Sequence, residues 1–176
     1  DFTQNAPNQL KDLEKETIQK ILCASGLWPC IRRRPFSKIA IPDKSPSSIF
    51  ITTVSTAPYA PYLKVILDLI NIEELQVGIN MLSQLTGAPL NMVIPHNGQY
   101  PLLKNLASIT LHTFTGPHPA GNVGYHISNI SPIVNKNSNV WYVSLEDTVS
   151  IGKLFLTGKA DYKKIITVGG SSTKND

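Results

Sequence analysis

The sequence predicts an α/β layered domain with a mainly parallel sheet. Short apolar, β-branched runs at 49–54, 90–94, 108–114 and 140–144 alternate with longer stretches of helical periodicity. Alternation of this kind packs as helices against a parallel sheet. Hydrophobic residues make up 41% of the 176 residues and charged residues 16%, which supplies a core and excludes global disorder.

Each element has its own signal. Leu10, Leu13, Ile18, Ile21 and Leu22 recur at helical spacing over 9–24, with Gly26 placed to close the helix. From Leu27 to Ser48 four prolines (Pro29, Pro35, Pro42, Pro46) predict a loop. The run 49–54 reads as a buried strand. A polar, proline-bearing loop at 55–61 follows, then helices over 62–70 and 72–85, the second ended by Gly87. Strands at 90–94 and 108–114 precede a Gly/Pro-rich loop over 117–130 that runs into a short helix. The strand at 140–144 leads to a helix from Leu145 to Thr157. Ser144 and Asp147 stand as its capping box and Gly158 at its end. A last short strand is predicted at 165–168.

Net charge is +4, with the cations scattered except around Arg32, Arg33, Arg34, Lys38 and Lys44. A nucleic-acid module would carry more, interleaved with exposed aromatics. Cys23 and Cys30 fit neither a redox nor a zinc pair and read as reduced and structural, with Cys23 in an apolar helical pattern where a buried thiol is common. The longest apolar candidate, 65–72, is interrupted by Asp68 and Asn71, so no membrane span is expected in this stretch. No signal peptide is visible. Asp1 at the start and the Gly/Ser/Thr/Lys/Asn stretch 169–176 read as the ends of a piece cut from something longer.

Ligands of such sheets sit in loops beyond the carboxyl ends of the strands, and two loops carry chemistry. The first holds Gly116-Pro117-His118-Pro119-Ala120-Gly121-Asn122-Val123-Gly124-Tyr125-His126. Gly121 and Gly124 permit close backbone approach to a ligand, and a helix start can face an anion. The spacing is not that of a dinucleotide or phosphate loop, and two prolines remove two N–H donors. The same residues also serve a rigid turn. His118 and His126 have no cysteine or carboxylate beside them, so no metal is expected. The second loop is Trp28-Pro29-Cys30-Ile31-Arg32-Arg33-Arg34-Pro35-Phe36-Ser37-Lys38. Arginines beside aromatic rings can hold an anion or a planar ring bearing carbonyl oxygens; they can equally form a solvated loop or a docking surface. No nucleophile elbow is present.

Four segments in order resemble the A subunits of the sodium-translocating NADH:quinone reductases (Nqr complexes). They are Ser25-Gly26-Leu27-Trp28, Arg34-Pro35-Phe36-Ser37-Lys38, the loop from Gly116 to Gly121 with Gly124 and His126-Ile127, and the run Ile151 to Gly158. The resemblance implies an internal part of a longer subunit. Residues 1–158 would form a Rossmann-like three-layer domain similar to the flavin domain of the NADH-oxidising subunit of complex I, and 159–176 the truncated start of a β-grasp-like domain. It further implies a location peripheral on the cytoplasmic side of the bacterial inner membrane. There the chain would help bind ubiquinone for reduction coupled to sodium export, beside partner subunits that carry the flavins, iron–sulfur centres and NADH. No cofactor tightly bound to this chain and no activity of the chain alone are expected. Trp28, Arg34, Phe36 and Lys38 become candidate quinone contacts, and Gly116, His118, Gly121, Gly124 and His126 a candidate ligand loop. Asn122, Val123, Tyr125 and the Arg32-Arg33 pair depart from the family pattern. A domain that has kept the flavin or nucleotide of its complex I relative, and a purely structural docking module, are the alternatives.

Overall fold

The computed structural model describes residues 2, 9–135 and 138–170. Its sheet has six strands in the order β2-β1-β6-β3-β4-β5, where β1 is Arg32–Arg34, β2 Lys38–Ile39, β3 Ser48–Thr52, β4 Leu90–Pro95, β5 Thr110–Phe114 and β6 Val140–Ser144. Strands β6, β3, β4 and β5 run parallel; β1 and β2 form an antiparallel edge on β6. The helices are α1 (Lys15–Ala24), α2 (Leu63–Leu69), α3 (Ile72–Thr86), α4 (Pro101–Lys104), α5 (Val123–Ile130) and α6 (Leu145–Thr157).

Alternation along the strands divides the core in two. Ile49, Ile51, Met92, Ile94, Trp141 and Val143 point to the face covered by α1, α3 and α6. Phe50, Val93 and Val140 point the other way and meet Ile127 of α5. The chain steps outward from β3 to β4 to β5, then crosses back over the opposite face through α5 to place β6 on the other side of β3. Right-handed crossovers require this change of face when the direction of travel reverses.

Helices α3 and α6 touch backbone to backbone. A Cβ on Gly152 would lie well inside contact with the Glu74 carbonyl, and one on Gly78 would collide with the Thr148 carbonyl. Their ends are fixed by caps. Asn71 accepts from Glu73 N and Ser144 from Asp147 N, while Gly87 and Gly158 close the helices at φ 65° and 69°.

Several elements differ from the expectation. The first helix splits into a 3₁₀ turn at Gln9–Asp12 and α1, which begins after an extended Glu14. The predicted loop 27–48 contains a 3₁₀ turn at Trp28–Cys30 and the β1–β2 hairpin. Its prolines sit where they do no harm, Pro29 inside the turn and Pro35 in the hairpin loop, so Arg32 to Arg34 are free to pair with β6. The short helix α4 was not foreseen; it opens on Pro101, where a missing N–H is harmless. Residues 165–168 form no strand, because the segment runs along α2 and the strand ends, where Thr167 Oγ1 donates to Tyr59 O. Cys23 is exposed, and Cys30 is half-buried with its thiol pushed up to about 11 by burial and then by Asp147. Of the expected frayed stretch, 171–176 lie outside the described residues.

Gly152→Ala is expected to lower stability by about 1–3 kcal/mol through overpacking against a carbonyl, read as a fall of several degrees in Tm. Gly87→Ala meets open space and should cost about 1 kcal/mol, from its positive φ alone.

Candidate functional site

The carboxyl ends of β3, β4 and β5 form the cleft end of the molecule. Thr53 to Thr56 after β3, Pro95 to Asn97 after β4, and Phe114 to Gly116 after β5 line a cleft of about 820 Å³. Tyr59, Tyr62 and Tyr100 add aromatic walls, and Thr167 and Val168 close one side.

The glycine-rich loop from Gly116 to Asn122 forms one rim of this cleft and is internally satisfied. Ala120 N donates to Pro117 O and Asn122 N to Pro119 O. Gly121 N donates to Thr56 Oγ1 (3.1 Å), whose own proton can go to His118 Nδ1 (3.1 Å). Thr56 therefore ties the loop to the end of β3. A Cβ on Gly121 would stand 2.6 Å from Thr56 N, so this glycine is required by close backbone approach, not by positive φ. Gly116, at φ 142°, is the loop's one left-handed glycine.

His126 lies wholly buried in α5. Nε2 meets the Ala120 carbonyl at 2.7 Å, and the ring packs on Phe114 (centroids 4.8 Å apart). Burial pushes its pKa below the ordinary histidine value, against the smaller opposing effect of the Ala120 bond. This is an architectural histidine: it fixes the loop to the helix it precedes. His112 is matched by Asn91 Oδ1 at 2.9 Å. His118 is exposed at the rim.

The second predicted constellation divides. Trp28 is in the core: its Nε1 donates to Ala40 O (2.8 Å) and its ring meets Trp141 edge-on at 5.8 Å. It fixes the base of the hairpin and has no face for a ligand. Phe36 stands at the hairpin tip, 79% exposed, and Lys38 is exposed on β2. Arg34 turns inward. Its Nη1 donates to Ser37 Oγ (2.8 Å), and its Nη2 lies against Gly124 at the start of α5, where a Cβ would stand.

The structure thus joins the two sequence loops through Arg34 and Gly124. A guanidinium at the positive end of a helix is electrostatically unfavourable by about 0.3–1 kcal/mol. The guanidinium brings a donor beside the start of α5, and such a group can serve an oxygen acceptor. Thr56, Phe114 and the tyrosines of the cleft were not singled out from the sequence, although Ser55 and Thr56 follow directly on a buried strand, where α/β ligand sites form.

Fold and site define a three-layer α/β domain with a mixed six-stranded sheet, a cleft at the carboxyl strand ends and a basic hairpin added to one edge. Residues 13–160 match the family model described as the NqrA second alpha/beta domain, and the chain belongs to that family. It is similar to the A subunit of the Na(+)-translocating NADH-quinone reductase from Histophilus somni (strain 2336), at 36% identity over 99% of this chain and 38% of the relative. The protein of the same name from Neisseria meningitidis serogroup B is 38% identical over 97% of this chain and 38% of the relative. The chain thus spans well under half the length of these relatives. A chain in the crystal structure of an NAD+-reducing [NiFe]-hydrogenase in its H2-reduced state superposes with a TM-score of 0.53 at 15% identity, covering 88% of this chain and 35% of that one. That likeness is one of fold.

Gly121→Ala should lower stability by about 1–3 kcal/mol, since backbone must move. Gly124→Ala should leave the melt nearly unchanged, because only a flexible guanidinium has to shift. A stability profile against pH checks His126. Its folded pKa is depressed, so the unfolded chain takes up more protons as pH falls below about 6.5 and stability declines there. His126→Gln should flatten part of that decline, while His112, lowered in the same direction by burial, keeps the rest.

Proposed function

We propose that this chain is part of the A subunit of a sodium-translocating NADH:quinone reductase and helps to bind ubiquinone for reduction coupled to sodium export. The contact of Arg34 with Gly124 carries the reading. It sets a cationic donor and a helix start side by side, next to an exposed ring, Phe36. A quinone needs flat apolar walls and donors at its carbonyl oxygens. Arg34 donates to an oxygen, Phe36 offers the wall, and Lys38 adds positive charge as electrons arrive. Trp28 acts from the core by holding the hairpin, and Gly116, His118, Gly121 and His126 shape the facing loop.

In this reading the domain is Rossmann-like, of the kind that holds flavin in complex I, and the residues from 159 onward lead into a β-grasp-like domain. The whole protein sits peripherally on the cytoplasmic side of the inner membrane. Flavins, iron–sulfur centres and NADH belong to partner subunits, and the chain alone is inactive. The size of the strand-end cleft favours one competing reading, a retained flavin or nucleotide, since it lies within the range of small-molecule sites. The rim argues against a phosphate there. Pro117 and Pro119 have no N–H, and those of Ala120, Gly121 and Asn122 are engaged inside the molecule.

In the assembled complex, Arg34→Ala and Phe36→Ala should each raise the apparent KM for quinone roughly 5- to 30-fold, corresponding to about 1–2 kcal/mol. Reduction of flavin by NADH should be unaffected. Unchanged quinone dependence in both variants would exclude the hairpin from the site. The purified chain should show no flavin absorption; a stoichiometric flavin band would favour the competing reading.

A further inference from the structure

The hairpin tip is held in a conformation that its residues do not favour. Phe36 and Ser37 occupy φ 74° and 50°, a region uncommon for side chains other than glycine, asparagine and aspartate. Arg34 stabilises the turn through Ser37 Oγ. The outcome is an aromatic ring standing in solvent at the end of a two-stranded projection.

The register distributes charge on both sides of that projection. Arg33 pairs with Lys38 on one face and Arg32 with Ile39 on the other. Arg32, Lys38 and Ile39 are exposed, and no carboxylate lies within residues 31–39. Edge protection explains a lysine on β2 but not an exposed phenylalanine at the tip. Neither face of the hairpin is apolar, so lateral docking on a protein would bury cations. The arrangement fits end-on contact with a medium that is anionic at its surface and apolar just beneath. Among the described residues no helix is long and apolar enough to cross a membrane, so a lipid contact made by them would be made from the surface.

We propose that the β1–β2 hairpin docks end-on into an anionic lipid bilayer. Phe36 at the tip reaches the boundary between headgroups and acyl chains, and Lys38, with Arg32 one register step behind it, pairs with lipid phosphates. This extends the quinone reading, because a quinone with an isoprenoid tail resides in the bilayer and would meet Arg34 directly behind the tip. Vesicle binding can be measured without any quinone, so the two readings fail separately.

The experiment is co-sedimentation of the purified protein with vesicles of phosphatidylcholine alone and of phosphatidylcholine mixed with phosphatidylglycerol. Binding is expected only to the mixed vesicles and should weaken with salt. Lys38→Ala should lower the partition coefficient about fivefold, as for one cation removed from an anionic surface. Phe36→Ala should lower it several-fold at equal charge, and Lys20→Ala, exposed on α1, should matter far less than Lys38→Ala. Circular dichroism melts would confirm that the variants fold. Absence of binding overturns the proposal, as does equal loss in Lys20→Ala and Lys38→Ala. Binding indifferent to Phe36 shows electrostatic attraction without insertion and also overturns it. So does capture of the hairpin by detergent-solubilised partner subunits from a protein that ignores both vesicles, which makes it a protein contact.

Discussion

The backbone contact between α3 and α6 is the constraint on which the architecture turns. Gly78 and Gly152 let the two helices approach until each backbone touches the other, and the pair covers one face of the sheet together with α1, through Leu75, Ile79, Leu82, Ile151, Leu154 and Phe155. Because α3 joins β3 to β4 and α6 follows β6, this approach fits the placement of β6 beside β3. With β6 there, its outer edge is free for a short, arginine-rich segment, and β1 pairs with it. Helix packing on the inner strands thus leaves the edge on which the hairpin sits.

From that edge, Arg34 faces the side of the sheet covered by α5, since it pairs with Val140, whose side chain belongs to the same layer. Its guanidinium reaches the first turn of α5, where the absence of a side chain on Gly124 leaves room for it. The other end of the same loop is fixed by Thr56 and by buried His126. One glycine thus secures the loop against backbone, and the other admits a side chain from a distant segment.

Much of the layered fold was legible because burial writes a period into the sequence. The runs at β3 and β4 are mainly apolar, with Ile49 to Ile51 and Met92 to Ile94 at their centres, as strands covered on both faces tend to be, and the Ser144–Asp147 cap appears where the spacing placed it. The hairpin was not legible. Arginine is not a strong strand former, and the surrounding prolines read as breakers, although none interrupts a ladder bond. Cys23 looked buried because its neighbours in sequence are apolar, yet it falls on the outer side of α1. Trp28 looked like a ligand wall because it adjoins arginines; only the fold brings Trp141 and Ala40 to it. The meeting of Arg34 with Gly124 is a long-range event, which no local pattern encodes.

A double-mutant cycle on Arg34 and Gly124, read as the apparent KM for quinone in the assembled complex, tests the central claim most directly. If the guanidinium seated on Gly124 is the shared element of the site, Arg34→Ala and Gly124→Ala each disturb the same seat. The double variant should then be little worse than Arg34→Ala alone, a coupling outside the range of independent sites. Effects that add within the scatter expected for unconnected positions would contradict it.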